Sequence, residues 1–401
     1  MSRADRRPHV AVFNQAAVPL GMAGGTRHVE LFGRLDRWSA VVLAGNKSYL
    51  DQAPVESDGV LKAVRVTRFR GNGPSRVLTW MSYMASAFAQ GMRGPRPTVV
   101  WGSSPQMGAA IVALLCARIR RAPFVLEIRD LWPHILVEAE VIPRNGVVHR
   151  LITRIEEYLY RSAAAIVVLA EGTQRELVGR GFDGAKVHFV PNGADVGAFA
   201  GTGTRESRRL ALGLDDRLVV IYAGAHGPAN GLDLVLDAAE RLRETDSEAL
   251  FLLVGDGVQK PALQRRADAA GLDNVRFHDP VPKDEIPELY EASDIGLHCL
   301  DDVDLFKYGV SPNKLYDYMA ARLPVITNAG GDVAAMVERA DSGVAVEPRS
   351  IADGVRLIEE ASGAQRSEWA ENGHRFMREH RSRDALARQV EDLLDQVADP
   401  S

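Results

Sequence analysis

The chain has 401 residues, 46% of them hydrophobic and 25% charged, which is enough apolar material for a sizeable core and suits two domains of about 200 residues each. That composition excludes a disordered chain, and the longest apolar run, Met107 to Ile119, falls short of the roughly 20 residues a membrane span requires. Net charge is only −5, yet residues 1–190 carry 25 Lys and Arg against 15 Asp and Glu while the remainder carries 23 against 38, so the first half is the basic one. A basic half fits an anionic partner such as a phosphate-bearing lipid or the inner face of the plasma membrane, although solvated faces that merely differ in charge are the plainer account.

Short apolar runs alternate with helical patterns. HVAVFN precedes a helix from about His28 to Leu35, followed by VVLAG, TVVWG, a helix from Met107 to Ile119, FVLEIRD, AIVVLA, a helix from Glu171 to Gly179, and VHFVPNG. Strands separated by helices predict a parallel sheet covered on both faces, the α/β class. A polar segment, residues 192–209, contains Gly193, Gly197, Gly201 and Gly203 and separates this series from a second, placing a boundary near Gly193. The second series runs through LVVIYAG, LDLVLDAAERLRE, ALFLLVGDG, VRFHDPV and DIGLHCL to SPNKLYDYMAARLPVI. In that last stretch Ser311 is placed to cap a helix, Pro312 suits a first helical position, Leu315, Met319 and Leu323 follow at helical spacing, and Pro324 ends it before a strand. The tail, residues 367–397, predicts one or two charged amphipathic helices with Leu386, Val390, Leu393 and Leu394 as the apolar stripe.

The opening MSRADRRPHVAVF has no apolar signal-peptide core, so a cytoplasmic location is expected. Cys116 and Cys299 lie in apolar segments and read as buried thiols; no metal site and no nucleic-acid partner are expected. Helix Arg76 to Met92 carries Leu78, Met81, Met84, Ala85 and Phe88 at helical spacing, which fits a core-facing helix or a lipid-docking one.

In open α/β sheets ligands bind where strands end, so the loops after strands carry the candidate chemistry. Gly24 and Gly25 precede a helix start, where glycines let backbone N–H groups approach an anion. Neither series shows the G-x-G-x-x-G fingerprint or a G-x-x-x-x-G-K-[ST] loop, which weighs against simple NAD binding and ATP hydrolysis. EIRDLWP puts Glu127, Arg129 and Asp130 at the end of a buried strand, where charges are costly unless paired, with Trp132 and Pro133 beside them to wall a pocket. Gly255 and Asp256 in VGDG suit a close backbone approach to a nucleotide. Asp317 is an acid on the apolar side of its helix, open to a ligand or to Lys314.

These motifs together resemble glycosyltransferase family 4 over nearly the whole length: GGTRH, RDLWP, VPNGAD, YAGAHGPANGLD, LLVGDG and SPNKLYDYMAARLPVITNAGG occur in order and at the family's spacing. The pairing of RDLWP with PNKLYDYMA is most similar to the branch that builds bacterial surface polysaccharides, including N-acetylfucosamine-transferring enzymes. The resemblance implies the GT-B fold, two Rossmann-like domains whose parallel sheets face a central cleft. Residues 1–192 would form the acceptor-binding domain, 193–370 the nucleotide-sugar-binding domain, and 371–401 a helix returning to the first. It implies a retaining hexosyltransferase with neither metal nor cofactor, in which a UDP-linked sugar serves as co-substrate.

On this resemblance Asp317 is the second acid of the family's E-x7-E motif, which binds the ribose hydroxyls. Gly309 stands where the first glutamate belongs, so the donor hexose falls to backbone groups of Gly309 and Val310 or to Ser311 and Asn313. Ala225 and Asn230 replace the family's phosphate-binding Arg and Lys, leaving Lys314, Arg27 and Arg129, with the Gly24 and Gly25 amides, to neutralise the diphosphate. Asp130 would position the acceptor hydroxyl or take its proton, with Arg129 orienting it. The acceptor is expected to be a hydroxyl, on a lipid-linked diphosphate sugar or a soluble molecule, with peripheral contact at the inner membrane face. A nucleotide-sugar epimerase of the same fold, or a weakly catalytic partner subunit of a transferase, are the alternatives.

Overall fold

The alternating runs form two parallel sheets in a computed structural model that describes residues 7–399, apart from positions 23, 50, 72, 105, 130, 132–136, 138–142, 144–145, 200–203 and 302–308. The first sheet contains β1 (His9–Phe13), β2 (Ser39–Gly45), β3 (Leu61–Val64), β4 (Val99–Ser103), β5 (Phe124–Ile128), β6 (Ala165–Val168) and β7 (Val187–Phe189), in the order β3-β2-β1-β4-β5-β6-β7. The second contains β8 (Leu218–Ala223), β9 (Ala249–Val254), β10 (Val275–His278), β11 (Ile295–His298), β12 (Val325–Thr327) and β13 (Gly343–Ala345), in the order β10-β9-β8-β11-β12-β13. In each sheet the order reverses once, between β1 and β4 and between β8 and β11, the position at which open α/β sheets bind ligands.

The chain divides into two units, residues 1–191 with 383–401, and residues 192–382. The segment that returns to the first unit therefore begins at 383, later than the expected 371, because the helix Gly363–Phe376 packs on the Asn313–Ala320 helix of the second unit.

In the first unit, strand residues alternate between two apolar layers. Val10, Val12, Val42 and Trp101 meet Leu31 and Phe32 of the helix Arg27–Phe32 and Leu386, Val390 and Leu394 of the returning helix Arg383–Ala398. On the opposite face Phe13 lies against Gly91 and Cys116, and Gly102 lets Ala110 and Ala113 sit on the sheet. That second face is covered by three neighbouring helices, Pro74–Arg93, Met107–Arg120 and Val147–Ser162. All three lead into or out of β4 and β5 and β6 on the same side, as right-handed crossovers require.

In the second unit Val219, Ile221 and Ala223 of β8 face Leu315 and Met319, while Val220 and Tyr222 face Leu232 and Val235. Gly296 on β11 is required by packing: a Cβ there would stand 2.4 Å from Tyr318 Cγ, so its absence seats the Asn313–Ala320 helix on the sheet. That helix starts later than the sequence predicts. Pro312 precedes it, no side chain caps it, and Ser311 Oγ instead accepts from the Asn192 N–H at 3.0 Å, so tertiary contact takes the capping group away. Cys116 and Cys299 are both buried free thiols.

Candidate active site

The loops at the β8/β11 reversal converge on one lysine. β8 runs into Gly224, whose N–H donates to Val254 O at 2.9 Å. A Cβ at position 224 would lie 2.0 Å from Lys314 Cε, so only glycine lets this side chain cross the strand end. Lys314, in the first turn of its helix, thus reaches over to the β8 loop, where its Nζ donates to Asn230 Oδ1 at 3.2 Å and lies 5.2 Å from the centroid of the Tyr222 ring. Burial pushes the Lys314 ammonium below its ordinary pKa, opposed by Cys299 and the Asp317 carboxylate. Asn230 is held in turn by donating to Ala225 O at 2.9 Å, an oxygen that also accepts from Tyr222 Oη at 2.8 Å. The two positions that depart from the family's cations therefore support the cation that is present.

The β9 loop forms the other wall. Gly255 has φ +138°, and a Cβ there would stand 2.0 Å from Gly224 O, so the two loops meet backbone to backbone. His226 N–H donates to Asp256 O at 2.8 Å and Gln259 N–H donates to His226 O at 3.0 Å, which ties the loops together. Beneath them Lys260, nearly buried, donates from Nζ to Gly255 O at 2.9 Å, His278 O at 3.2 Å and Asp279 Oδ1 at 2.8 Å. The Asp256 carboxylate is exposed and accepts from the Gly257 N–H at 2.8 Å.

After β11 the chain is pinned by Asn328, whose side chain donates to Leu300 O at 2.9 Å and accepts from Leu300 N–H at 2.8 Å. His298, under this loop, pairs with Thr327 Oγ1 at 2.9 Å, and burial together with the Lys314 charge pushes its pKa down to about 3. Its imidazole is neutral at any physiological pH. Gly309 has φ +89°, a conformation that favours glycine over the glutamate of the family pattern. Val310 is half-buried, Asn313 is exposed at the helix start, and Asp317 is half-buried one turn beyond Lys314. Gly255, Asp256, Gly309, Val310, Ser311, Asn313, Lys314 and Asp317 all belong to the second unit.

The remaining candidates belong to the first unit: Gly24, Gly25 and Arg27 follow β1, and Arg129 follows β5. Gly24 has φ +126°, and a Cβ on Gly25 would lie 2.7 Å from Ala16 O, so this turn needs both glycines. Arg27, expected from the resemblance to neutralise phosphate, turns its guanidinium to protein partners. It is 7% exposed and donates to Pro191 O at 2.5 Å and Val190 O at 2.7 Å, with its Nε 3.5 Å from Glu127 Oε2. A buried guanidinium needs such partners, and here they clamp the end of the first unit. Glu127, fully buried, also meets His28 Nε2 at 3.0 Å and accepts from Ser103 Oγ at 3.1 Å. Burial would raise the Glu127 carboxyl, but His28 and Arg27 hold it well below the usual carboxylate range. His28 Nδ1 lies 2.8 Å from Asn14 Nδ2, whose amide oxygen accepts from Ala16 N–H, so a neutral imidazole donating from Nε2 satisfies every contact.

Arg129 is half-buried; its backbone N–H donates to Ser104 Oγ at 3.0 Å, and its guanidinium has no hydrogen bond or ion pair among the described residues. Asp130, Trp132 and Pro133 lie outside the described residues. Sequence reasoning placed Glu127 but missed His226, Lys260 and the His28–Asn14 pair that meets Glu127; the only signal for His226 was a His-Gly pair just past a strand.

Residues 23–193 match the glycosyl transferase 4-like domain family, and residues 204–376 match glycosyl transferases group 1. Among curated relatives, one named for colanic acid biosynthesis glycosyl transfer, WcaI of Escherichia coli (strain K12), is 26% identical over 55% of this chain and 56% of its own length. The alpha-D-kanosaminyltransferase of Streptomyces kanamyceticus is 25% identical over 60% of this chain and 61% of its own. The matched region therefore spans little more than half of these relatives. Among solved structures, HepE of Anabaena in complex with UDP and glucose superposes with a TM-score of 0.71 at 17% identity, covering 97% of this chain and 100% of that one. Sucrose-phosphate synthase of Thermosynechococcus elongatus gives 0.72 at 16% identity, covering 98% and 100%. The two family matches between them take in both units, and the chain shares the GT-B fold of these solved structures.

Proposed function

We propose that the chain is a retaining, metal-independent glycosyltransferase that moves a hexosyl or N-acetylhexosaminyl residue from a UDP-linked donor to a hydroxyl acceptor, in polysaccharide, glycolipid or other glycoconjugate assembly. The observation that carries this reading is Lys314 lying across Gly224, an ammonium brought to a strand-order reversal between glycine-lined loops. Placed against a nucleoside diphosphate, that ammonium stabilises the charge that develops on the leaving group, a contribution of about 2.7 to 4 kcal/mol for one such donor. Asp317, on the same helix, accepts from the two vicinal hydroxyls of a ribose. Gly309, Val310, Ser311 and Asn313 border the hexose, and the exposed Asp256 loop approaches the base. UDP as the nucleotide is supported by the UDP complex of HepE.

In the retaining route the bond from the anomeric carbon to the leaving phosphate oxygen breaks as the acceptor oxygen bonds on the same face. The acceptor proton passes to that phosphate oxygen, so no covalent nucleophile is required. Asp130 then positions the acceptor, with Arg129 beside it, and Gly24 and Gly25 contribute backbone N–H groups. Placement in the cytoplasm, peripheral to the inner membrane face, with a lipid-linked diphosphate sugar as acceptor, belongs to the same reading.

A thermal-shift series with UDP, GDP, ADP and NAD tests it, because a ligand that binds only the folded chain raises its apparent stability. A shift confined to UDP, weakened by Asp317→Ala, is expected, with transfer from a UDP-sugar that survives EDTA and keeps the anomeric configuration. Isomerisation of the donor without an acceptor would favour an epimerase, and binding without turnover a partner subunit.

A further inference from the structure

The three helices covering the second face of the first unit bury one side and expose another that is far from polar. Tyr83, Ala87, Ala113, Cys116 and Leu159 point inward. On the outside Leu78 is 59% exposed, Met81 57%, Ile119 50% and Leu151 57%, with Leu115 and Tyr158 beside them. Leu78 and Met81, and Leu115 and Ile119, are helical neighbours, so these are stripes rather than scattered residues. The spacing of Leu78 and Met81 was open to a core-facing reading; their exposure corrects it.

The charge balance of the helices on this face is positive. The three helices contain seven arginines and two glutamates, with no lysine or aspartate. Of the glutamates, Glu156 is buried, accepting from Tyr160 Oη and from Arg180, and Glu157 is paired with Arg161 at 3.0 Å. Arg150 and Arg154 are exposed, and their guanidinium groups have no partner among the described residues. Arg118 lies over the Tyr158 ring, 5.2 Å from its centroid, joining two of the helices. Across the sheet, the Arg383–Ala398 helix shows the opposite balance, with Asp384, Glu391, Asp392 and Asp395 against two arginines.

We propose that this face docks on a bilayer bearing anionic phospholipid, with the leucines, methionine and isoleucine entering the headgroup boundary and the arginines meeting phosphate. The proposal gives the membrane contact of the preceding reading a surface, and rests on that reading only for its place in glycolipid assembly. Apolar stripes rimmed by arginine are what an interfacial helix presents to such a surface. A two-fold dimer through the same face would set arginines against arginines, which charge repulsion disfavours. Among the described residues no helix is long and apolar enough to cross a membrane, so the contact is peripheral.

Co-sedimentation of the full chain with vesicles of phosphatidylcholine plus phosphatidylglycerol, and with phosphatidylcholine alone, tests this. Binding to the anionic vesicles only is expected, weakening with salt. The double variant Arg150→Ala/Arg154→Ala should partition about fivefold more weakly per arginine removed. Ile119→Glu/Leu151→Glu should abolish binding, while both variants keep the UDP thermal shift of the parent. The surface arginine pair keeps the test decisive if the second variant does not fold. Equal binding to neutral vesicles, unchanged binding by the variants, or a dimer in solution that the apolar variant splits would overturn the proposal. Absence of any UDP shift in the parent would instead remove the functional reading and leave the docking result standing.

Discussion

Lys314 depends on a residue that carries no chemistry of its own. A methyl group at 224 would stand 2.0 Å from Lys314 Cε, so Gly224→Ala must turn the ammonium away without altering any charge. Gly224→Ala and Lys314→Ala should therefore lower kcat by a similar factor, on the order of 10² to 10³, and the double variant should be no slower than either single one. Losses that multiply in steady-state kinetics would show that the two residues act independently. Arg27 gives the opposite lesson about reading charge from sequence. A cation beside two glycines resembles an anion site, yet its partners, Glu127, Val190 and Pro191, are distant in the chain and only folding brings them together. The sequence signals that Arg27 has a use; the fold shows its guanidinium held by partners within the protein.

Residues 309–312 and the helix Asn313–Ala320 act as one element, because Gly309 turns the chain at φ +89° just before the helix carries Lys314 and Asp317 forward. Restoring the family glutamate should consequently fail. Gly309→Glu places an L side chain in a sparsely populated conformation costing about 1 to 3 kcal/mol, so chemical denaturation should show reduced stability and calorimetry no gain in UDP-sugar affinity. Tighter donor binding at unchanged stability would refute this. Elements of this kind were legible wherever burial is continuous: VVWGS, FVLEI and ALFLLV are apolar throughout because both faces of a parallel sheet are covered, and each forms a strand. β3, with the sequence LKAV, was not anticipated, since four residues at a sheet edge with an exposed lysine carry too little pattern. The start of the Asn313–Ala320 helix was misplaced because the Asn192 amide, 119 positions away, claims the Ser311 hydroxyl.

At the scale of the whole molecule the chain leaves the first unit after Pro191, builds the second, and comes back at Arg383. The return is well anchored: Trp38 Nε1 donates to Asp395 Oδ1 at 2.7 Å, Gln389 donates to Phe189 O at 2.8 Å, and Leu386, Val390, Leu393 and Leu394 are buried against the first sheet. Four such side chains are worth about 6 to 12 kcal/mol as an upper bound, comparable with the whole stability of a domain at about 5 to 15. A chain truncated after Ser382 should show one cooperative thermal transition, that of the second unit, and a first unit cut rapidly by protease. Two intact transitions would mean that the first unit closes without its last helix.

The same path sets an order of events at the ribosome. The first unit is made first but lacks part of its core until everything up to the Arg383–Ala398 helix has been translated, whereas the second unit is complete on emergence. Nascent chains stalled on a linker after residue 382, long enough to clear the exit tunnel, should carry a protease-resistant second unit behind an unfinished first one, so the first unit waits for a segment made after the whole of the second.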